Sequence, residues 1–169
     1  PFEEVLKNKS ASEEDKIENI DIGGPSFLRS AAKNFTRITT ICDPNDYEKV
    51  LQSEKMSLDQ NKALAAKVFS HTSVYDSMIS KSLGIDFDNI EFSVGGKNKS
   101  QLRYGENPSQ KATWFQMSGA VNGLHEANLL QGKALSYNNL LDLDAAVTTL
   151  REFSSEPSCV SVKHLNPCG

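Results

Sequence analysis

From Leu58 to Leu83 the positions suited to a packed face return at steps of three and four: Ala65, Val68, Phe69, Thr72, Tyr75, Met78 and Ile79. That spacing predicts one long helix with a single buried side, and such a side needs other elements to cover it. The neighbouring signals alternate. A charged helical stretch starts at Glu3, and the Ser/Glu/Lys-rich run 8–16 reads as a solvated loop or helix end. Asp21-Ile22-Gly23-Gly24-Pro25-Ser26 reads as a turn, with Pro25 or Ser26 opening a helix that carries Phe27, Leu28, Ala31 and Ala32 on its apolar side. Arg37-Ile38-Thr39-Thr40-Ile41-Cys42 is β-branched and of strand length, and Asp43-Pro44-Asn45-Asp46 starts a short helix with Tyr47, Val50 and Leu51. This alternation predicts the α/β class, an open sheet with helices on its faces.

The character changes after Gly84. The stretch from Asp86 to Gln101, with adjacent glycines and the polar patch Lys97-Asn98-Lys99-Ser100, reads as a boundary that divides the chain near residue 95. Beyond it come a strand at Ala112-Thr113-Trp114-Phe115, a turn at Ser136-Tyr137-Asn138-Asn139 and a helix from Leu140 to Phe153. A last strand, Cys159-Val160-Ser161-Val162-Lys163, runs into a loop.

Charge and composition narrow the function. Eighteen basic against 22 acidic residues leave a net charge of −4, which argues against a general nucleic-acid binder. No apolar run has the ~18–20 residues of a membrane-spanning helix. The charged start has no signal-peptide core, and Pro1-Phe2 reads as a cut in a longer chain. Cys42, Cys159 and Cys168 contain no CxxC pair, which fits a reducing, cytoplasmic setting. Cys159, His164 and Cys168 match no zinc spacing, so no metal is expected.

Three clusters could carry chemistry. Asp21-Ile22-Gly23-Gly24 offers backbone N–H groups at a helix start, which suit an anion such as phosphate or a polar heterocycle, with Lys33 further along the same helix. By itself this signal is weak, and a plain helix-start turn with an exposed lysine is the favoured reading. Leu102-Arg103-Tyr104-Gly105-Glu106-Asn107-Pro108-Ser109-Gln110 has little to bury; Arg103 supplies a forked donor for phosphate or carboxylate, and Tyr104 can stack or donate. Spacing alone leaves a domain-start loop and a binding loop both open. Val162-Lys163-His164-Leu165-Asn166-Pro167-Cys168-Gly169 sets a cation and a proton-transfer side chain at a strand end. Neighbours on a strand face opposite ways, so Lys163 and His164 can serve one ligand only if the strand has ended between them.

Taken jointly, these motifs resemble the bifunctional AICAR transformylase/IMP cyclohydrolase family. The likeness runs in order through Asp21 to Ser26, Leu28-Arg29-Ser30-Ala31-Ala32-Lys33-Asn34, Cys42-Asp43-Pro44, Phe69-Ser70-His71-Thr72, Leu102 to Gln110, Leu135 to Asn139 and Val162 to Gly169. Pro1-Phe2 looks like the end of the family's Asn-Leu-Tyr-Pro-Phe motif. The resemblance implies an internal segment. Residues 1–95 would be the later part of a methylglyoxal-synthase-like cyclohydrolase domain, and 96–169 the start of a cytidine-deaminase-like transformylase domain.

It also implies roles. Asp21 and Lys33 match cyclohydrolase catalytic positions, with Ile22 and Gly23 against the nucleotide base, which displaces the phosphate reading of that helix start. Arg103 and Tyr104 match positions that contact the AICAR nucleotide; Asn138 and Asn139 would contact substrate as well. Lys163 and His164 match the catalytic pair of formyl transfer. AICAR, formyl-AICAR and IMP would be the ligands, 10-formyltetrahydrofolate the cosubstrate and a homodimer the assembly, with no nucleic acid or membrane partner. The 169 residues alone are expected to be inactive. Ser109 departs from the family's usual histidine and removes a ring from that loop. The rival is a non-catalytic nucleotide-binding α/β module, which has no need of Lys163-His164 beside Arg103-Tyr104.

Overall fold

The computed structural model describes residues 2–84, 93–117, 122–153 and 155–169; positions 85–92 of the expected boundary lie outside the described residues. The chain forms two compact units, the first running through Gly96 and the second starting at Lys97, with Met117 counted in the first.

The described part of the first unit is helical. It contains α1 (Phe2–Lys7), α2 (Glu13–Glu18), α3 (Gly23–Lys33), a 3-10 turn (Pro44–Asp46) leading into α4 (Tyr47–Leu51), and α5 (Leu58–Leu83). α5 starts at a reciprocal cap: the Gln60 N–H donates to Ser57 Oγ (3.2 Å) and the Ser57 N–H to Gln60 Oε1 (2.8 Å). It stops at Gly84, whose φ of 92° suits glycine. α3 lies on α5. Ala32, Ala65 and Val68 are buried between them, with Leu28, Phe35 and Cys42 packed around. Val68 is fully buried, worth ~1.5–3 kcal/mol for a side chain of its kind. Arg29 ties the pair at its edge, donating to Thr72 Oγ1 (3.2 Å) and lying over the Phe69 ring (5.3 Å).

Two expectations change here. The run 8–16 is not all loop: Ser12 caps α2 by accepting the Asp15 N–H (3.0 Å), while Asp15 accepts the Ser12 N–H (2.9 Å). The segment Arg37–Cys42 forms no strand; it packs on α5 without a ladder partner among the described residues. Thr39 Oγ1 donates to Asn61 Oδ1 (2.8 Å), and Thr40 is buried with its hydroxyl unpartnered among the described residues. β-branched residues favour a pleated surface only where another strand completes it.

Lys67 of α5 holds the start of α4 through Asp43 (2.6 Å) and Asp46 (2.7 Å). The Lys67 hydrogen bond, with the Asn45 N–H, keeps the Asp43 carboxyl below its ordinary 3.8. Bonds to Asp43 and Asp46 keep Lys67 above its ordinary 10.5. A lowered acid stabilises above its unfolded value, and a raised base stabilises below its own. The node is therefore fully formed between about pH 4 and 10 and weakens as pH falls through the lowered Asp43 value. Lys67→Met is expected to flatten the acid limb of a stability profile measured by thermal unfolding, modestly because the groups are solvent-accessible. An unchanged acid limb would count against the node.

The second unit mixes helix and strand. β1 (Gly96–Gln101) pairs with β2 (Thr113–Met117); a 3-10 turn (Leu124–Glu126) follows, then α6 (Tyr137–Arg151) and a ladder of β3 (Val162–Lys163) with β4 (Asn166–Pro167). The polar patch at 97–100 is thus strand. It shows no alternation because it is exposed on both faces except at Gly96. The helix expected from Leu140 starts at Tyr137, since Ser136 caps it. The mixture of helix and strand stands, but the described sheets are two separate two-stranded ladders, not one open sheet.

Candidate functional site

In the first unit, Asp21 stands just before α3. Its N–H donates to the Tyr75 hydroxyl (2.7 Å), which fixes the turn against α5. Its carboxylate accepts the Gly24 N–H (3.0 Å), a cap for α3 from one residue before the formal cap position. The approach is close enough that a Cβ on Gly24 would collide with the Asp21 carboxylate. Ile22 is 71% exposed beside it, and Gly23 is exposed too. Lys33 ends α3 and is exposed. From Gly23 to Lys33 the helix rises about 15 Å, so Asp21 and Lys33 sit at opposite ends and share no hydrogen-bonded centre.

The second unit gathers its residues around the first two turns of α6. The Arg103 N–H donates to the Leu135 carbonyl (2.8 Å), and the Tyr137 N–H to the Tyr104 carbonyl (3.1 Å), which fastens the loop to the helix start. The Arg103 guanidinium lies 4.8 Å from the Tyr104 ring centre, and its Nη2 reaches the Tyr104 hydroxyl and Asn139 Oδ1, both at 3.4 Å. These bonds are long, so the fork can turn to a better acceptor at small cost. Asn138 donates to the Glu106 carbonyl (3.0 Å). Asn139 Oδ1 accepts the Ser136 N–H (3.1 Å), and Ser136 Oγ accepts the Asn139 N–H (3.3 Å). The loop closes through Gly105 N–H to the Gln110 carbonyl (2.9 Å) and Asn107 N–H to Gln110 Oε1 (2.8 Å), leaving Ser109 exposed at the tip.

Lys163 and His164 occupy a hairpin. Lys163 pairs with Asn166, so the strand ends at Lys163, and His164 and Leu165 form the two-residue turn. That answers the strand-alternation problem: His164 has left the pleat that would have set it opposite Lys163. Both side chains are exposed. The Leu165 N–H donates to Asp142 Oδ1 (3.0 Å), one turn after Asn138 on α6. The structure therefore brings Arg103, Tyr104, Asn138, Asn139 and the Lys163–His164 hairpin onto one helix end. Asp142 escaped sequence reasoning, although its four-residue step from Asn138 carried the signal.

Behind α6 lies a cavity of about 390 Å³ lined by Leu102, Thr113, Trp114, Leu124, His125, Tyr137, Leu140, Leu141 and Asp144. His125 is buried in its wall, with Nε2 unpartnered among the described residues. No group of His, Cys, Asp and Glu among the described residues could hold a metal ion. No described helix is long and apolar enough to cross a membrane.

A family model described as AICARFT/IMPCHase bienzyme matches residues 31–169. The chain is 48% identical over 177 residues to the bifunctional purine biosynthesis protein PurH of Bacillus subtilis, covering all of this chain and 34% of that protein. Against PurH of Shouchella clausii it is 49% identical over 177 residues, again covering 100% of this chain and 34% of the relative. Against PurH of Nostoc punctiforme it is 41% identical over 179 residues, covering 100% and 35%. The chain spans about a third of the length of the curated relatives it matches.

Proposed function

This chain belongs to the AICARFT/IMPCHase bienzyme family, and from that premise we propose that it carries parts of two sites of purine nucleotide biosynthesis, one for formyl transfer and one for cyclisation. The supporting observation is the joint attachment of the Arg103-Tyr104 loop and the Lys163-His164 hairpin to the start of α6. A pure binding module would need only the first.

In formyl transfer, Arg103 and Tyr104 hold the AICAR nucleotide, with Asn138 and Asn139 at its edge. The 5-amino group attacks the formyl carbon of 10-formyltetrahydrofolate. A C–N bond forms, the bond from the formyl carbon to the folate nitrogen breaks, and the amine proton passes to His164 while the folate nitrogen gains one. Lys163 stabilises the oxyanion and takes part in proton transfer. Formyl-AICAR then closes to IMP with loss of water. Asp21 and Lys33 serve the proton transfers there, from opposite ends of α3, and Ile22 and Gly23 meet the base.

On this reading residues 1–95 belong to a methylglyoxal-synthase-like cyclohydrolase domain and 96–169 to a cytidine-deaminase-like transformylase domain. The complete protein works as a homodimer in the cytoplasm, and these 169 residues alone are inactive. The test is to supply the full-length protein with AICAR and 10-formyltetrahydrofolate and measure IMP. Binding of AICAR without turnover would favour the rival module. Arg103→Ala is expected to raise the KM for AICAR about 10- to 100-fold, the loss of charge-assisted bonds to a phosphate or carboxylate-like acceptor. An unchanged KM would remove Arg103 from the binding loop.

A further inference from the structure

We propose that Asp142 is a positioning residue for Lys163 and His164, an inference that rests on the reading of that pair as formyl-transfer machinery. The hairpin that displays them is unusual in its chemistry. His164 and Leu165 have φ of 51° and 68°, the left-handed values of a type I′ turn, yet neither is glycine, asparagine or aspartate. Each strand contributes only two residues, Val162 with Lys163 and Asn166 with Pro167, and beyond them Ser161 adds backbone bonds to Cys168 and Gly169. So short a ribbon does not hold such a turn by itself.

The restraint comes from α6. Asp142 Oδ1 accepts the Leu165 N–H at 3.0 Å, directly at the second left-handed residue. Asn166 Nδ2 adds a bond to the His164 carbonyl at 2.8 Å, within the hairpin itself. Asn138, one turn earlier on α6, holds the Glu106 carbonyl of the binding loop. One helix therefore fixes both the loop that would hold the nucleotide and the turn that would act on it, and Asp142 sets the second. The task requires an acceptor at Oδ1 and no proton transfer by Asp142.

The full-length protein provides the test. Asp142→Ala is expected to lower kcat for formyl transfer about 10²-fold, the effect of a misplaced reacting group, with the AICAR KM changed less than about threefold. Asp142→Asn keeps the acceptor and should recover most of the rate. Leu165→Gly added to Asp142→Ala should recover about tenfold, because glycine takes that φ without strain. Cyclisation of supplied formyl-AICAR reports that each variant is folded; if Asp142→Ala is not, Asp142→Ser, too short to reach the turn, replaces it. Hydrogen exchange at the Leu165 amide is read independently of activity and should lose protection in the Ala or Ser variant but not in Asp142→Asn. Equal exchange in wild type and Asp142→Ala, or Asn and Ala variants equally impaired, would overturn the proposal. If the wild type transfers no formyl group, the functional reading fails, and the exchange comparison alone decides whether Asp142 holds the turn.

Discussion

Replacing His164 with alanine in the full-length protein is expected to lower formyl transfer by about 10²- to 10⁴-fold, the range for a general base in the transition state. The AICAR amine is a weak nucleophile, and without an acceptor for its proton the addition stalls. Lys163→Ala should cost about 10²- to 10³-fold by removing charge opposite the developing oxyanion. Neither change should disturb the fold, because both side chains are exposed and their structural work is done by the backbone: Lys163 pairs with Asn166, and the His164 carbonyl accepts from Asn166. Cyclisation of formyl-AICAR should persist in both variants, since Asp21 and Lys33 lie in the other compact unit. Two separate rate measurements on each variant check this. Equal loss of both activities by folded protein would refute separate sites.

Asp21→Asn is expected to slow cyclisation about 10²-fold and leave formyl transfer intact. Asparagine keeps an oxygen for the Gly24 N–H, so α3 retains its cap while the carboxylate is lost. Asp21→Ala should slow cyclisation similarly and also lose about 1 kcal/mol of stability with the cap. Lys33→Ala should also slow cyclisation and spare formyl transfer, and an unchanged rate would remove Lys33 from that site. Steady-state cyclisation kinetics and thermal unfolding of all three variants separate these cases.

Parts of this architecture are written locally. α5 is legible because its packed positions repeat from Leu64 to Met78, enough to average out exceptions such as Phe69, which is 39% exposed. α2 has six residues and no buried one, so no periodicity forms; its signal was the Ser12-x-x-Asp15 cap, easily lost in a charged run. The strand expected at Arg37–Cys42 failed for a non-local reason, because a ladder requires a partner and α5 provides side-chain contacts only. The residues around α6 were legible as types, with a forked cation, a stacking ring, amides and a Lys-His pair. Their meeting was not, because it rests on backbone bonds between Arg103 and Leu135 and between Tyr137 and Tyr104. The hairpin turn at His164-Leu165 carries none of the residues that announce a left-handed turn.

Asn139 has an implication for how mutagenesis of this protein should be interpreted. Its Oδ1 already serves the Ser136 N–H, the Ser136 hydroxyl and Arg103, which exceeds the two lone pairs of an amide oxygen. Helix initiation and guanidinium orientation thus draw on the same atom. An alanine there would change apparent affinity even if no substrate ever touched Asn139, because the helix would fray and the Arg103 fork would drift together. Asn138, whose side chain bonds only the Glu106 carbonyl among the described residues, gives a cleaner reading of contact with a ligand. At position 139 aspartate preserves the oxygen for the helix cap, but it removes the amide N–H₂ and sets a negative charge beside Arg103, so it separates the cap from the ligand contact without isolating the donor.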